Sequence, residues 1–130
     1  MNISQIAKIT SLSAKSIRLY ESKGIISAPL RSENGYRNYN QQHIDELMIV
    51  GRAKRAGFSL DECKALVELA KDSERTSAEV KQKAQHKLAE VNVKLAELHQ
   101  IKSQLEKWIS ECPGNSESNC PIIDDLKGGS

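Results

Sequence analysis

The chain has 130 residues, of which 28% are charged and only 4% aromatic, and its net charge is +2. This length suits one modest domain or a small domain with an arm, and the low aromatic content argues against a large conventional core. No apolar run is long enough to span a bilayer and the N-terminus lacks a signal-peptide pattern, so we expect a cytoplasmic protein whose thiols stay reduced.

The charges are distributed unevenly along the chain. Residues 1–58 carry nine Lys and Arg against four Asp and Glu, whereas residues 59–130 carry ten against thirteen. A basic N-terminal half indicates a polyanionic partner such as nucleic acid, and the alternative is an ordinary solvated surface.

The first predicted elements are two short helices. The segment "ISQIAKIT" has apolar residues at helical spacing, and "SLSAKSIRLYESKG" follows it. Ser13 suits the N-cap of the second helix, and Gly24 suits the position just after its end. Two short helices joined by a tight turn are typical of a helix-turn-helix.

A hairpin is predicted next, in "IISAPLRSENGYRNYN". Asn34-Gly35 indicates a two-residue turn in which both residues have positive φ. Because an isolated two-stranded hairpin is marginal in water, we expect it to pack on the helices as a wing.

Two further helices follow, in "QQHIDELMIVGRAKRAG" and "SLDECKALVELAKD". The second opens with Ser59 and, three residues later, Glu62, which is the pattern of a capping box. Cys63 falls on its apolar face and is most simply a small buried hydrophobic residue.

A long helix is predicted from Ser77 to about Ser110, a stretch with no Gly or Pro. Its apolar residues recur at steps of three and four in near-strict alternation, from Val80 to Trp108 or Ile109, as in a coiled coil. Such a helix is about 50 Å long, so packing on its own N-terminal domain accounts for only part of the stripe. We therefore expect it to pair with a second copy of the chain.

Two cysteines, Cys112 and Cys120, flank the loop in "ECPGNSESNCPIID", and Pro121 suits the first position of a short final helix. A disulfide, chance and a metal clamp are the three interpretations, and a reducing compartment disfavours the first. Two soft thiolates suit one monovalent d¹⁰ ion, Cu(I), Ag(I) or Au(I), because zinc requires more protein ligands and none of the three His has a short ligand spacing to either Cys.

The predicted fold is mainly α, with four segments. Residues 1–70 form a winged helix-turn-helix DNA-binding domain, and residues 71–110 a linker and dimerisation helix. Residues 111–127 form the metal-binding loop and short C-terminal helix, and residues 128–130 are a linker or tail.

The N-terminal segment offers a set of side chains suited to DNA. Lys15 and Arg18, three residues apart, project from one side of the second helix, near the start of which a recognition helix meets base edges. Tyr20 follows them in the same helix. The hairpin and the third helix add further cations and hydroxyl-bearing rings, which suit phosphate contacts. These are Arg31, Tyr36, Arg37, Tyr39 and Lys54.

Three stretches carry a resemblance to a known family: "ISQIAKITSLSAKSIRLYESKGI", "RSENGYRNY" and "AGFSLDE". They resemble the MerR family of transcriptional regulators, over nearly the whole chain. The resemblance implies homodimers whose long helices pair antiparallel and which bind double-stranded promoter DNA with or without metal. It also implies that the metal form bends and untwists the promoter so that RNA polymerase engages both of its elements. Carried over by position, the DNA contacts are the eight residues from Lys15 to Lys54 named above.

The cysteine loop resembles that of copper-efflux regulators within this family. The resemblance places the loop opposite the start of the partner's long helix, at Ser77, where relatives that sense divalent metals have Cys. Two thiolates and a monovalent cation leave a net charge of −1, which helix N-termini at Pro121 and Ser77 help to compensate. Lys81 is a candidate counter-charge, and an ordinary solvated lysine is the alternative.

The sequence therefore predicts a metal-responsive activator of copper-efflux or detoxification promoters. In this hypothesis metal orders the loop, docks "PIIDDL" on the dimer helices and changes the angle between the two DNA-binding heads. The alternatives are a thiol-redox regulator of the same family and a coiled-coil copper-binding protein with no DNA role. We expect no enzyme, because we find no paired catalytic carboxylates, nucleophile–base arrangement or phosphate-binding glycine loop.

Overall fold

The structure, a computed structural model, describes residues 1–128; the last two residues of the predicted tail 128–130 lie outside the described part. Six helices and one two-stranded antiparallel sheet are seen in these residues. They are α1 Ile3–Thr10, α2 Ala14–Ser22, β1 Leu30–Arg31, β2 Arg37–Asn38, α3 Gln41–Arg55, α4 Leu60–Lys71, α5 Ser77–Glu111 and α6 Pro121–Leu126. The prediction of a mainly helical chain with a helix-turn-helix and a long helix is confirmed.

The chain divides into two compact units, Met1–Lys87 and the remainder from Leu88. No helix within residues 1–128 is both long enough and apolar enough to cross a membrane.

Side-chain caps define the starts of the helices. Ser13 accepts a hydrogen bond from the Ser16 N–H at 3.0 Å, and Ser59 and Glu62 form the predicted capping box of α4. Such caps satisfy backbone donors that have no partner within the helix, which fixes where α2 and α4 begin. Two further boxes, at the starts of α1 and α3, use Asn2 and Asn40.

The hairpin differs from its prediction. The pairs Leu30–Asn38 and Arg31–Arg37 are in register, and the Gly35 N–H donates to Ser32 O at 2.8 Å. The Ser32 N–H also donates to Tyr36 O at 2.9 Å, so three residues, 33 to 35, form the loop. Gly35 has a positive φ of 83° whereas Asn34 does not. The predicted two-residue Asn34-Gly35 turn is wrong, because the strands are connected by a four-residue turn, Ser32–Gly35, whose last residue is a left-handed glycine.

The core of the first unit lies between α1, α2, α3 and α4. Ile6, Ile17, Leu47 and Val50 have no exposed surface, and Cys63 is equally buried, as predicted. Burial raises the pKa of the Cys63 thiol, so this sulfur remains a neutral packing group.

One buried carboxylate joins three segments of this unit. Glu46 of α3 is only 2% exposed, and it accepts hydrogen bonds from the Ser27 N–H at 3.0 Å and the Ser27 hydroxyl at 2.8 Å. Lys71, in the last turn of α4, places its ammonium 3.1 Å from the same carboxylate. Burial alone raises the pKa of Glu46, but the Ser27 hydrogen bonds and the Lys71 charge outweigh it and hold this pKa below its usual value.

The long helix α5 begins within the first unit. Thr76 accepts a hydrogen bond from the Glu79 N–H at 3.2 Å and so caps the start of this helix. Lys87, 8% exposed, lies 2.9 Å from the Glu62 carboxylate and 5.3 Å from the centre of the Phe58 ring. The ion pair and the cation–π contact hold this part of α5 against the start of α4.

We expect Glu46→Gln to lower the free energy of unfolding at pH 7 by about 1–3 kcal/mol, because the charged partner of Ser27 and Lys71 is lost. Since the folded pKa of Glu46 is depressed, its contribution is complete above the ordinary value of 4.5 and is lost as the pH falls through the folded pKa. Urea denaturation at several pH values should show the gap between the proteins closing below about pH 4.5. Glu68→Gln, at an exposed position of α4, is the control; an equal gap at pH 3 and pH 7 would contradict the assignment.

Candidate metal and nucleic-acid sites

The second helix presents two cations to solvent. In α2, Ile17 and Tyr20 are buried in the core, and Lys15 and Arg18 are exposed. The helix therefore has one face packed in the domain and one basic face exposed to solvent. Its N-terminal half carries both long donors, as a recognition helix requires.

The wing adds exposed groups at its tip. The Arg31 guanidinium donates to Gly35 O at 3.0 Å across the loop, and the side chain of Tyr36 is 72% exposed. Both side chains stay accessible, in keeping with the phosphate contacts predicted for them.

A carboxylate of α2 holds the wing in place. Glu21 accepts a hydrogen bond from Arg37 Nε at 3.0 Å and another from the Tyr39 hydroxyl. Burial and the neighbouring Glu21 carboxylate raise the pKa of Tyr39, so its hydroxyl remains a donor. The sequence analysis did not predict this role of Glu21. The available signal was that Glu21 is the sole acidic residue before Glu33 in a basic segment.

The eight predicted DNA contacts thus divide by burial. Lys15, Arg18, Arg31, Tyr36 and Lys54 are exposed. Arg37 is half-buried, and the rings of Tyr20 and Tyr39 lie in the core, 8% and 2% exposed. These two rings have a packing role in the domain, and a contact of either residue with DNA stays a prediction.

The two cysteines meet across their loop. Cys112 directly follows α5, where its N–H donates to Trp108 O at 3.0 Å, and Cys120 is the N-cap residue of α6. Gly114, with φ of 64°, supplies a left-handed turn between them. Both side chains are half-buried, and their sulfurs lie 3.8 Å apart.

This distance and the donor types define what the pair can hold. A disulfide requires about 2.05 Å between the sulfurs, so both thiols are free here. One ion with metal–sulfur bonds of about 2.3 Å can bridge sulfurs at 3.8 Å. The residues therefore fit a soft ion held by two thiolates.

The surroundings of Cys120 favour its ionised form. The backbone N–H of Ile123 lowers the pKa of the Cys120 thiol, and the Cys112 thiol and the N–H of Ile122 act in the same direction. Desolvation and the Asp124 carboxylate oppose this, but the net direction is downward. A lower pKa means more thiolate at neutral pH, which is the form that binds metal.

The other two residues predicted for the metal site belong to the first turns of α5. Ser77 is the first residue of α5 and Lys81 follows one turn later, and both are exposed. Their predicted position beside a metal depends on a partner chain and stays a prediction. In residues 1–128, no three or more His, Cys, Asp and Glu side chains gather as a possible metal cluster.

His43 has a structural role in the first unit, where it is 3% exposed. Its Nδ1 accepts from the Asn40 N–H at 3.1 Å, and its Nε2 lies 3.3 Å from Ala28 O. Both ring nitrogens are therefore used within the fold.

Comparison with known proteins identifies the family. The model of the MerR HTH family regulatory proteins matches residues 1–70, and the model described as "MerR, DNA binding" matches residues 44–108. The chain is 63% identical to the HTH-type transcriptional regulator CueR of Vibrio cholerae serotype O1, over 98% of this chain and 92% of that protein. The chain belongs to the MerR family.

Solved structures of MerR-family regulators share its architecture. PbrR691 from Ralstonia metallidurans CH34, in complex with lead(II), has a TM-score of 0.84 and 28% identity, covering 97% of this chain and 98% of that one. MerR from Bacillus megaterium MB1, in complex with mercury(II), has a TM-score of 0.75 and 27% identity, covering 98% and 99%. Like other members of the MerR family, this chain is a DNA-binding transcriptional regulator and not an enzyme.

Accessibility should separate the three thiols. With iodoacetamide on the native protein, we expect rapid alkylation at Cys112 and Cys120, and alkylation of Cys63 only after unfolding, because its sulfur is buried and its pKa raised. Peptide mass spectrometry reports each site. Cys63→Ala is the control, since it should leave two modified sites with or without denaturant; rapid native alkylation of Cys63 would refute its burial.

Proposed function

We propose that this chain is a homodimeric, cytoplasmic regulator that senses Cu(I), Ag(I) or Au(I) through Cys112 and Cys120. In its metal-bound form it activates copper-efflux and detoxification promoters by distorting their DNA so that RNA polymerase engages. The observation that carries the proposal is the pair of free sulfurs 3.8 Å apart at the ends of one short loop.

The choice of metal follows from the donor set. Soft thiolates select soft ions, and two of them suit a monovalent ion in two-coordinate geometry. When bound, such an ion would be held by the sulfurs of Cys112 and Cys120. The N–H of Ile123, which favours the thiolate of Cys120, partly offsets the net negative charge of that arrangement.

The homodimer is supported by the surface of α5 in the second unit. Six apolar side chains at the predicted spacing are each between 48% and 70% exposed. They are Leu88, Leu95, Leu98, Ile101, Leu105 and Ile109. Pairing with a second copy covers such a stripe along its length, as in coiled coils.

Recognition of the promoter is assigned to α2 and the wing. Lys15 and Arg18 read or grip the duplex from α2, and Arg31 and Tyr36 hold the backbone from the wing. Glu21 keeps these two elements in one fixed arrangement through Arg37 and Tyr39.

The metal response is tested with serine variants. Cys112→Ser and Cys120→Ser should each abolish Cu(I)-dependent transcription from a target promoter in vitro, because one sulfur cannot bridge the loop, and both should keep promoter binding. Cys63→Ala, at a cysteine outside the loop, should keep the metal response. Variants that lose promoter binding, or that still respond to Cu(I), would contradict the two-sulfur assignment.

A thiol-redox response is the second candidate, because two thiols this close can also form a disulfide. Mild peroxide in place of Cu(I), in the same transcription assay, separates the candidates. Activation by peroxide and not by buffered Cu(I) would replace the metal proposal with the redox one.

The DNA assignment predicts a charge-dependent loss. Arg18→Ala should weaken promoter binding, and if Arg18 grips a phosphate the slope of log affinity against log salt should fall by about 1. Fluorescence anisotropy with a labelled promoter duplex at several salt concentrations measures both. Lys102→Ala, an exposed position of α5, removes the same charge and should leave the slope unchanged; equal effects of the two variants would refute the contact.

A further inference from the structure

A second contact closes the cysteine loop. The Trp108 indole N–H donates a hydrogen bond to the Asp125 carboxylate, which joins the last turn of α5 to α6. Trp108 lies one turn before Cys112, and Asp125 lies five residues after Cys120. The segment that connects the cysteines is thus held at two places, at the sulfurs and at this hydrogen bond.

We propose that the Trp108–Asp125 hydrogen bond is a positioning device for the metal site: it holds α6 against the end of α5 and so keeps the Cys120 sulfur within reach of Cys112. The inference rests on the proposed function of the two cysteines. It adds two residues that carry no metal-binding atom in that assignment and act only through the geometry of the loop.

Geometry explains why such a device is needed. Seven residues separate the cysteines, and they include Gly114 and several short polar side chains, so the loop has little to hold its ends together. Cys120 is fixed to α6 as its N-cap residue, and therefore the position of α6 sets the position of the sulfur. Holding two ligands in place before binding reduces the entropy lost on binding and raises affinity.

The charge of Asp125 and its hydrogen bond to Trp108 have opposite expected effects on metal affinity, so the two roles can be told apart. Asp124 and Asp125 are neighbours on α6, and removing either carboxylate reduces negative charge beside a site that becomes anionic when it is loaded. A purely electrostatic role of Asp125 therefore predicts tighter metal binding in Asp125→Ala, whereas the positioning role predicts weaker binding.

The experiment uses the 130-residue chain and Cu(I), with a colorimetric Cu(I) chelator as competitor. Trp108→Phe keeps the ring and removes the N–H donor, and Asp125→Ala removes the acceptor. Each should weaken Cu(I) binding about threefold to tenfold, the range expected for one side-chain hydrogen bond. The double variant should be no weaker than either single variant, because both remove the same contact.

Two matched variants complete the design. Asp125→Asn keeps an oxygen acceptor and should bind Cu(I) nearly as tightly as the wild type. Asp124→Ala has the charge change of Asp125→Ala without the loss of the hydrogen bond, and should bind Cu(I) equally or more tightly. If Asp125→Ala behaves like Asp124→Ala, or if Trp108→Phe has no effect, the positioning role is overturned.

A metal-free readout separates this inference from the proposed function. In glutathione buffers, oxidised glutathione is reduced to two thiols as Cys112 and Cys120 form a disulfide, and the equilibrium reports the effective concentration of one thiol at the other. Trp108→Phe and Asp125→Ala should lower it by the same threefold to tenfold. If wild-type protein fails to bind Cu(I) but this equilibrium shifts as stated, the function fails and the positioning role stands; an unshifted equilibrium overturns the positioning role.

Discussion

Carboxylates hold the segments that the apolar core cannot reach. Glu21 fixes the wing to α2, and Glu46 fixes the segment after α2 to α3 and α4. Glu62 caps α4 and at the same time pairs with Lys87 of α5, and Asp125 binds Trp108 at the end of the same helix. Because a chain with few aromatic residues buries little apolar area in its loops and hairpins, directional hydrogen bonds to charged groups hold these segments on the domain instead.

The sequence predicted the elements well where local rules decide them. The capping box of Ser59 and Glu62, the long helix from Ser77 and the short helix from Pro121 all depend on residues close together in the chain. The hairpin loop was predicted wrongly because Asn-Gly fits both a two-residue and a three-residue loop. The choice between them is made by the Ser32–Gly35 hydrogen bond and the strand register, which depend on packing.

The site shows the same division between local and tertiary information. The spacing of Cys112 and Cys120 was enough to predict that their sulfurs lie close together, because a short loop with turn-forming residues keeps its ends near each other. The partners of Glu21, Glu46 and Trp108 were not predictable, since each pairs with a residue 16 or more positions away. The burial of Tyr39 likewise accompanies its hydrogen bond to Glu21, 18 positions away, whereas Tyr20 shares the buried face of α2 with Ile17.

The bond between Arg37 and Glu21 has a consequence for the phosphate contact predicted for Arg37. Because Nε is already engaged and the side chain is half-buried, the guanidinium is immobilised before DNA arrives. The Arg37 side chain loses its rotamer entropy during folding, so this entropy is not lost again when DNA binds. The negative charge of Glu21 also lowers the positive electrostatic potential around Arg37. In that contact, the fixed position of the Arg37 guanidinium replaces part of the long-range electrostatic attraction to the duplex. A duplex whose backbone follows a different curve lies out of its reach, because the guanidinium cannot move towards it.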